Sequence, residues 1–185
     1  MSRFQVNFKG VKPILFDRYS GNNNTKLPPE KKYHLTDQNV IYIPAINIYA
    51  SLASESPTCA AKLVFGKTAS RIKIGVQSFL HFDSAELPLT DDDGKPLIFS
   101  GWNDKFVVLH HVAKVKKGTL SVPSPKERPA VLPPWNLNFQ CELANNEFCN
   151  DNDLQQLFKM SQTMGMGTFR PQFGGFIMTK FEKIK

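Results

Sequence analysis

Phe4, Val6 and Phe8 alternate with Gln5, Asn7 and Lys9, a period of two that predicts a strand with one buried face. Gly10 interrupts it and an apolar run around Pro13 resumes to Phe16, so a bend or bulge is expected there. Residues 19–32, rich in Ser, Gly and Asn with a Pro-Pro pair, read as an exposed loop. Residues 40–43 predict a short strand, and Pro44 then opens a helix carrying Ala45, Ile48, Tyr49 and Leu52 at helical spacing. Ile72, Ile74, Val76 and Leu80 predict a second main strand reaching Phe82.

From 83 to 134 the pattern turns loop-like. It holds a turn at Asp91-Asp92-Asp93-Gly94, a strand at 106–109, a basic hairpin around Lys116-Lys117-Gly118, and five prolines between 123 and 134. So long a stretch without a helix implies a functional segment or subdomain. Leu137, Phe139, Cys141 and Leu143 alternate with polar residues as a third main strand. Asn150 or Asp151 then caps a helix with Leu154, Leu157, Phe158 and Met164 on one face. A glycine-rich loop follows, and residues 176–181 form a fourth strand.

Without the insertion the order is strand, helix, strand, strand, helix, strand. That is the split βαβ, ferredoxin-like (RRM-like) βαββαβ arrangement of the α+β class. The expectation is one domain over residues 1–185. Its insertion, about 83–134, lies between the second and third core strands as a thumb-like subdomain. Both helices would cover one face of a single antiparallel sheet.

The composition fits a folded, water-soluble domain: 41% of the 185 residues are hydrophobic and 21% charged. No apolar run reaches the length of a membrane span, and Met1-Ser2-Arg3-Phe4 lacks a signal-peptide core. Cys59, Cys141 and Cys149 form no CxxC and are odd in number, which points to free thiols and a cytoplasmic location. A net charge of +7 is compatible with a polyanionic partner. Bases gather at 62–73, 114–128 and 170–185 while acids gather at 83–93 and 142–153, leaving basic surfaces that attract phosphate.

The loop from Gly165 to Gly175 has Gly165, Gly167, Gly174 and Gly175 in eleven residues, with Thr168, Phe169 and Arg170 among them. Glycine loses the most backbone freedom on ordering, so these positions call for positive φ or a close approach. Two readings stand: a helix C-cap at Gly165 with an ordinary loop, or a ligand-facing loop whose amides and Arg170 meet a phosphate. With Lys62, Lys67, Arg71, Lys73, Lys116 and Lys117, the second reading makes a surface that contacts a nucleic-acid backbone without reading bases. Trp102 and Trp135 flank the insertion, where core packing is the favoured role over base stacking.

For catalysis the candidates are His34, His81, His110 and His111. His110 and His111 are adjacent, so on a strand they face opposite ways. His34 sits near Tyr33 and Lys31, yet no acid, base and nucleophile converge, and no enzyme activity is expected. The Asp91–Gly94 run lacks the alternating ligands of an EF-hand loop, no zinc spacing is present, and no metal or cofactor is expected.

A ferredoxin-like unit with Gly165-x-Gly167, a spacer, and Gly174-Gly175-Phe176 before its last strand resembles the RAMP superfamily of CRISPR-associated proteins. The final glycine-hydrophobic-glycine of that superfamily is replaced here by Gly-Gly-Phe. The resemblance implies that this loop touches an RNA backbone. Among RAMP proteins the backbone subunits of effector complexes fit best, which implies thumb-like hairpins, homo-oligomers or other effector-complex subunits as partners, and RNA or single-stranded DNA as ligand. Some RAMP proteins are endoribonucleases, which is the alternative reading. The chain also resembles a group of uncharacterised phage and prophage proteins through Lys9-Gly10-Val11-Lys12-Pro13, Tyr42-Ile43-Pro44 and Gly167-Thr168-Phe169-Arg170-Pro171. That likeness leaves open a phage structural or interaction role without nucleic acid.

Overall fold

The computed structural model describes residues 1–22, 26–56, 58–117 and 119–185, apart from the side chains of 113–117. The fold is mixed α+β with antiparallel sheets. In chain order the elements are β1 (Ser2–Gly10), β2 (Ile14–Leu15), β3 (Tyr42–Pro44), α1 (Ala45–Ala53), α2 (Ala60–Phe65), α3 (Ala69–Phe79), β4 (Leu80–Phe82) and β5 (Glu86–Thr90). They continue with β6 (Phe106–Lys117), β7 (Leu120–Val131), β8 (Asn136–Leu143), α4 (Asp151–Met164) and β9 (Phe176–Ile184). The main sheet runs β3-β5-β8-β1-β9, and β4 also pairs with β8. Strands β4 and β5 share one edge of β8 end to end: β4 meets Cys141–Leu143 and β5 meets Asn136 and Leu137.

The alternation in β1 works as expected. Phe4, Val6 and Phe8 are buried beneath the helices, while Arg3 and Lys9 are exposed on the opposite side. Helix α4 presses Phe158 onto Phe8, Phe139 and Phe181, with ring centroids 5.9–6.0 Å apart. Asn150 is the cap, and Asp153 completes a reciprocal capping box.

Two sequence expectations are corrected. Residues 72–79 belong to helix α3, and only β4 at its end is strand. Ile72, Ile74 and Val76 alternate as a strand would, but Ile72 and Val76 are buried while Ile74 is 47% exposed. The pairing of positions four apart is helical. Gly75 lets this helix cross closely over Cys149, whose side chain a Cβ would strike. Residues 86–90, read as part of a loop-like insertion, form β5 inside the main sheet.

Strands β6 and β7 make a long hairpin paired from Phe106 with Val131 to Lys117 with Leu120. At its base β2 joins β7, giving a second sheet ordered β2-β7-β6. Gly118, within the basic hairpin expected from the sequence, lies outside the described residues.

Phe158 is fully buried at the junction of α4 with three strands. Phe158→Ala should therefore lower the unfolding free energy by about 3–5 kcal/mol, the range for emptying a buried aromatic site. Urea denaturation monitored by tryptophan fluorescence checks this.

Candidate nucleic-acid interface

The loop between α4 and β9 is built on its own backbone. Gly165, Gly167 and Gly174 have φ of 71°, 75° and 69°, the left-handed region that favours glycine. A Cβ on Gly165 would lie 2.7 Å from the Phe173 carbonyl oxygen. One on Gly174 would run into the Met166 carbonyl, and one on Gly167 into that of Leu15. The amides of Met166, Thr168 and Gly174 donate to Gly174, Leu15 and Pro13 carbonyls at 2.9, 3.0 and 2.7 Å. Gly175 in turn accepts from Val11 and Lys12. The glycines are thus needed for close packing of loop on loop and of loop on residues 10–15. Among the described residues, the amides of Gly167, Phe169, Arg170 and Gln172 donate to no protein acceptor.

Phe169 takes a positive φ of 59° despite its side chain, a costly conformation for a bulky residue. Its ring is held by the hairpin: His111 meets it edge-on with centroids 4.0 Å apart, and the Arg128 guanidinium lies over it at 5.5 Å. Phe173 lies 6.1 Å from His111. Arg170 stands at the exposed tip of the loop and forms no hydrogen bond or ion pair with the described residues. Glu182, a conceivable partner, is paired with Lys180 at 2.6 Å.

The other basic residues expected at the interface divide. Lys62 and Lys67 are exposed on α2 and the 3-10 turn after it. The Arg71 guanidinium donates to the Glu147 carbonyl, and Lys73 is buried against Glu55 at 3.4 Å. No hydrogen bond or ion pair among the described residues joins these four to the glycine loop. The side chains of Lys116 and Lys117 lie outside the described residues. Trp135 is fully buried, donating from Nε1 to the Lys12 carbonyl at 2.9 Å, whereas Trp102 is 44% exposed.

Sequence reasoning missed the residues that meet the loop from the hairpin side. Arg128 pairs with Asp17 at 2.5 Å and is buried. The Lys32 ammonium donates to the Glu127 carbonyl at 2.7 Å, and the Tyr33 hydroxyl to that of Ala130 at 2.9 Å. The only sequence signal was the basic run at 114–128; the partnership with residues 17–33 spans about a hundred positions. Burial lowers the Lys32 pKa, helped by Arg128, and burial and Arg128 likewise lower that of His111. His34 is lowered by burial and by Arg18.

No family model matches this sequence, and no curated protein matches it. Among solved structures, the chain is similar to a chain in the cryo-EM structure of the Type III-B Cmr-beta bound to cognate target RNA. All of this chain aligns, with a TM-score of 0.60 and 13% identity, to 61% of that chain's length. At that identity the likeness establishes a shared α+β fold.

Two outcomes follow from the geometry. Gly174→Ala should destabilise the protein by about 1–2 kcal/mol or more, since left-handed backbone and a carbonyl clash combine. Gly175→Ala should cost less, because its φ is not positive and its nearest neighbour is the flexible Lys12 side chain. Thermal melts of the pair measure the contrast. His34 and His111 are both held below the ordinary imidazole value, so the folded state resists protons that the unfolded chain accepts near pH 6.5. Stability is full above that pH and should fall as pH drops below it. A His34→Gln, His111→Gln double variant, followed by urea denaturation across that range, should show a shallower fall.

Proposed function

We propose that this protein is a non-catalytic, RAMP-type binder of RNA or single-stranded DNA that grips the phosphate backbone and works as one of several subunits along a strand. Its core reads as ferredoxin-like: β1, helices α1–α3, β4, β8, α4 and β9, with β4-β8-β1-β9 as neighbouring antiparallel strands. The β6–β7 hairpin is its thumb.

The observation that carries this reading is Arg170. Among the described residues this exposed guanidinium has no acid partner; it sits on a loop that is fastened to the hairpin and also carries four backbone amides that donate to no protein acceptor. Planar donors and amides held in one place suit phosphate oxygens. Support for the ligand class comes from the fold shared with a chain of an RNA-bound assembly. With no base-reading signature, contacts of this kind position a strand without selecting its sequence.

Arg170→Ala should weaken binding of a dye-labelled single-stranded RNA by about 1–3 kcal/mol, the range for charge-assisted hydrogen bonds, with the melting temperature unchanged. Fluorescence anisotropy measures it, and the labelled RNA should stay intact with or without divalent metal. Wild-type protein that binds no strand even at low salt overturns the reading. So does an Arg170→Ala variant that melts early yet binds normally.

A further inference from the structure

A cleft of about 1120 Å³ opens between described residues from 17–22 and 26–32 on one side and 110–112 with 124–128 of the β6–β7 hairpin on the other. Five cations line it: Arg18, Lys26, Lys32, Lys126 and Arg128. Two carboxylates share the lining: Asp17, paired with Arg128 at 2.5 Å, and Glu127, whose Oε1 lies 3.5 Å from the His110 Nδ1. Arg18, Lys26, Lys32 and Lys126 have no ion-pair partner among the described residues.

Arg128 is the unusual member. It is 7% exposed, yet its Nε reaches no acceptor, while its two terminal nitrogens are turned to Asp17 and, at 3.4 Å, to the Glu127 carbonyl. Buried guanidinium donors are ordinarily satisfied, so Arg128 is short of an acceptor, and as a lining residue of a positively lined cavity its charge suits an oxyanion there. The wall around Lys32 is tied to its neighbours. Phe16 and Arg18 amides donate to the Pro129 and Lys32 carbonyls at 3.0 Å each, and the Lys32 ammonium spans to the hairpin. At these positions the backbone is already ordered before a ligand arrives.

We propose that this cleft anchors a phosphate group, with Arg128 and Lys32 at its wall and Arg18 and Lys126 closing over it from the two sides. Building on the nucleic-acid reading, the group is a backbone phosphodiester of the bound strand. The strand would then run from the Arg170 tip of the glycine loop past Phe169 into the cleft, since Arg128 touches both.

The test reverses two charges that hold no part of the fold, Arg18→Glu and Lys126→Glu, with Arg170→Ala as a separate variant. Inorganic pyrophosphate is titrated into wild-type protein while the imidazole NMR signals are followed. His110 and His111, which line the cleft, should shift, and His81, which does not, should stay put. The double variant should lose this response with an unchanged melting temperature. Its affinity for labelled single-stranded RNA should fall on the order of tenfold or more. The slope of log affinity against log salt should drop by about 0.7, the contribution of one phosphate contact on a single strand. Unmoved His110 and His111 signals, with RNA affinity indifferent to the double variant, would overturn the anchor. Binding still sensitive to Arg170→Ala would meanwhile leave the nucleic-acid reading standing. Conversely, pyrophosphate bound in the cleft of a protein that ignores RNA would uphold the anchor and reject the strand.

Discussion

Six residues, Gly10 to Leu15, join the main sheet, the hairpin and the glycine loop. Gly10 ends β1 and has no side chain because the Trp135 ring lies where a Cβ would be. Its amide donates to the Trp135 carbonyl at 2.6 Å, and the indole donates back to Lys12. The next residues accept from and donate to the glycine loop, and Ile14 and Leu15, both fully buried, cross into the second sheet to pair with β7. Each such hydrogen bond contributes on the order of 1 kcal/mol net, but a buried one left unmade costs more. Main sheet, hairpin and glycine loop are therefore held in one arrangement by a connector too short to allow another.

The centre of the main sheet could be read from the chain because β1 and β8 alternate strictly, and the last helix carries an explicit capping box. What misled was local ambiguity. Ile72, Ile74 and Val76 satisfy a strand, being β-branched and alternating, and only their burial against the sheet shows the helical period. A basic hairpin was expected around 116–118, but the length of its second strand was obscured by proline. Pro123, Pro125 and Pro129 are all an even number of residues apart, so on β7 their missing N–H groups face one edge. That edge points away from β6: the Pro129 carbonyl on the same side accepts from Phe16 instead. Prolines are thus tolerated on β7 because, beyond the two residues that pair with β2, that edge has no strand partner among the described residues.

The glycine loop was visible in the sequence, but the reason for its glycines was only half visible. Positive φ was anticipated, whereas the close approach proves to be internal, of Gly174 to Met166 and Gly167 to Leu15. Loop on connector is a contact between opposite ends of the chain, and no periodicity encodes it. The same holds for Arg128. In sequence it is one base among several at the end of a basic run; in the fold it meets Asp17, Phe169 and the wall of a cleft at once.

That triple engagement has a physical consequence. Arg128 cannot be discharged, so its buried charge must be balanced by neighbours. Asp17 supplies one anion, 40% exposed, and the Phe169 face supplies a weaker attraction. Around them Lys32 and His111 are both pushed toward their neutral forms by burial and by Arg128 itself. The base of the hairpin is therefore a place where positive charge is already crowded and short of counter-charge. An arriving anion would relieve that crowding for several groups together, so its favourable interactions would be shared by the hairpin, the connector and the loop that Phe169 fastens to them.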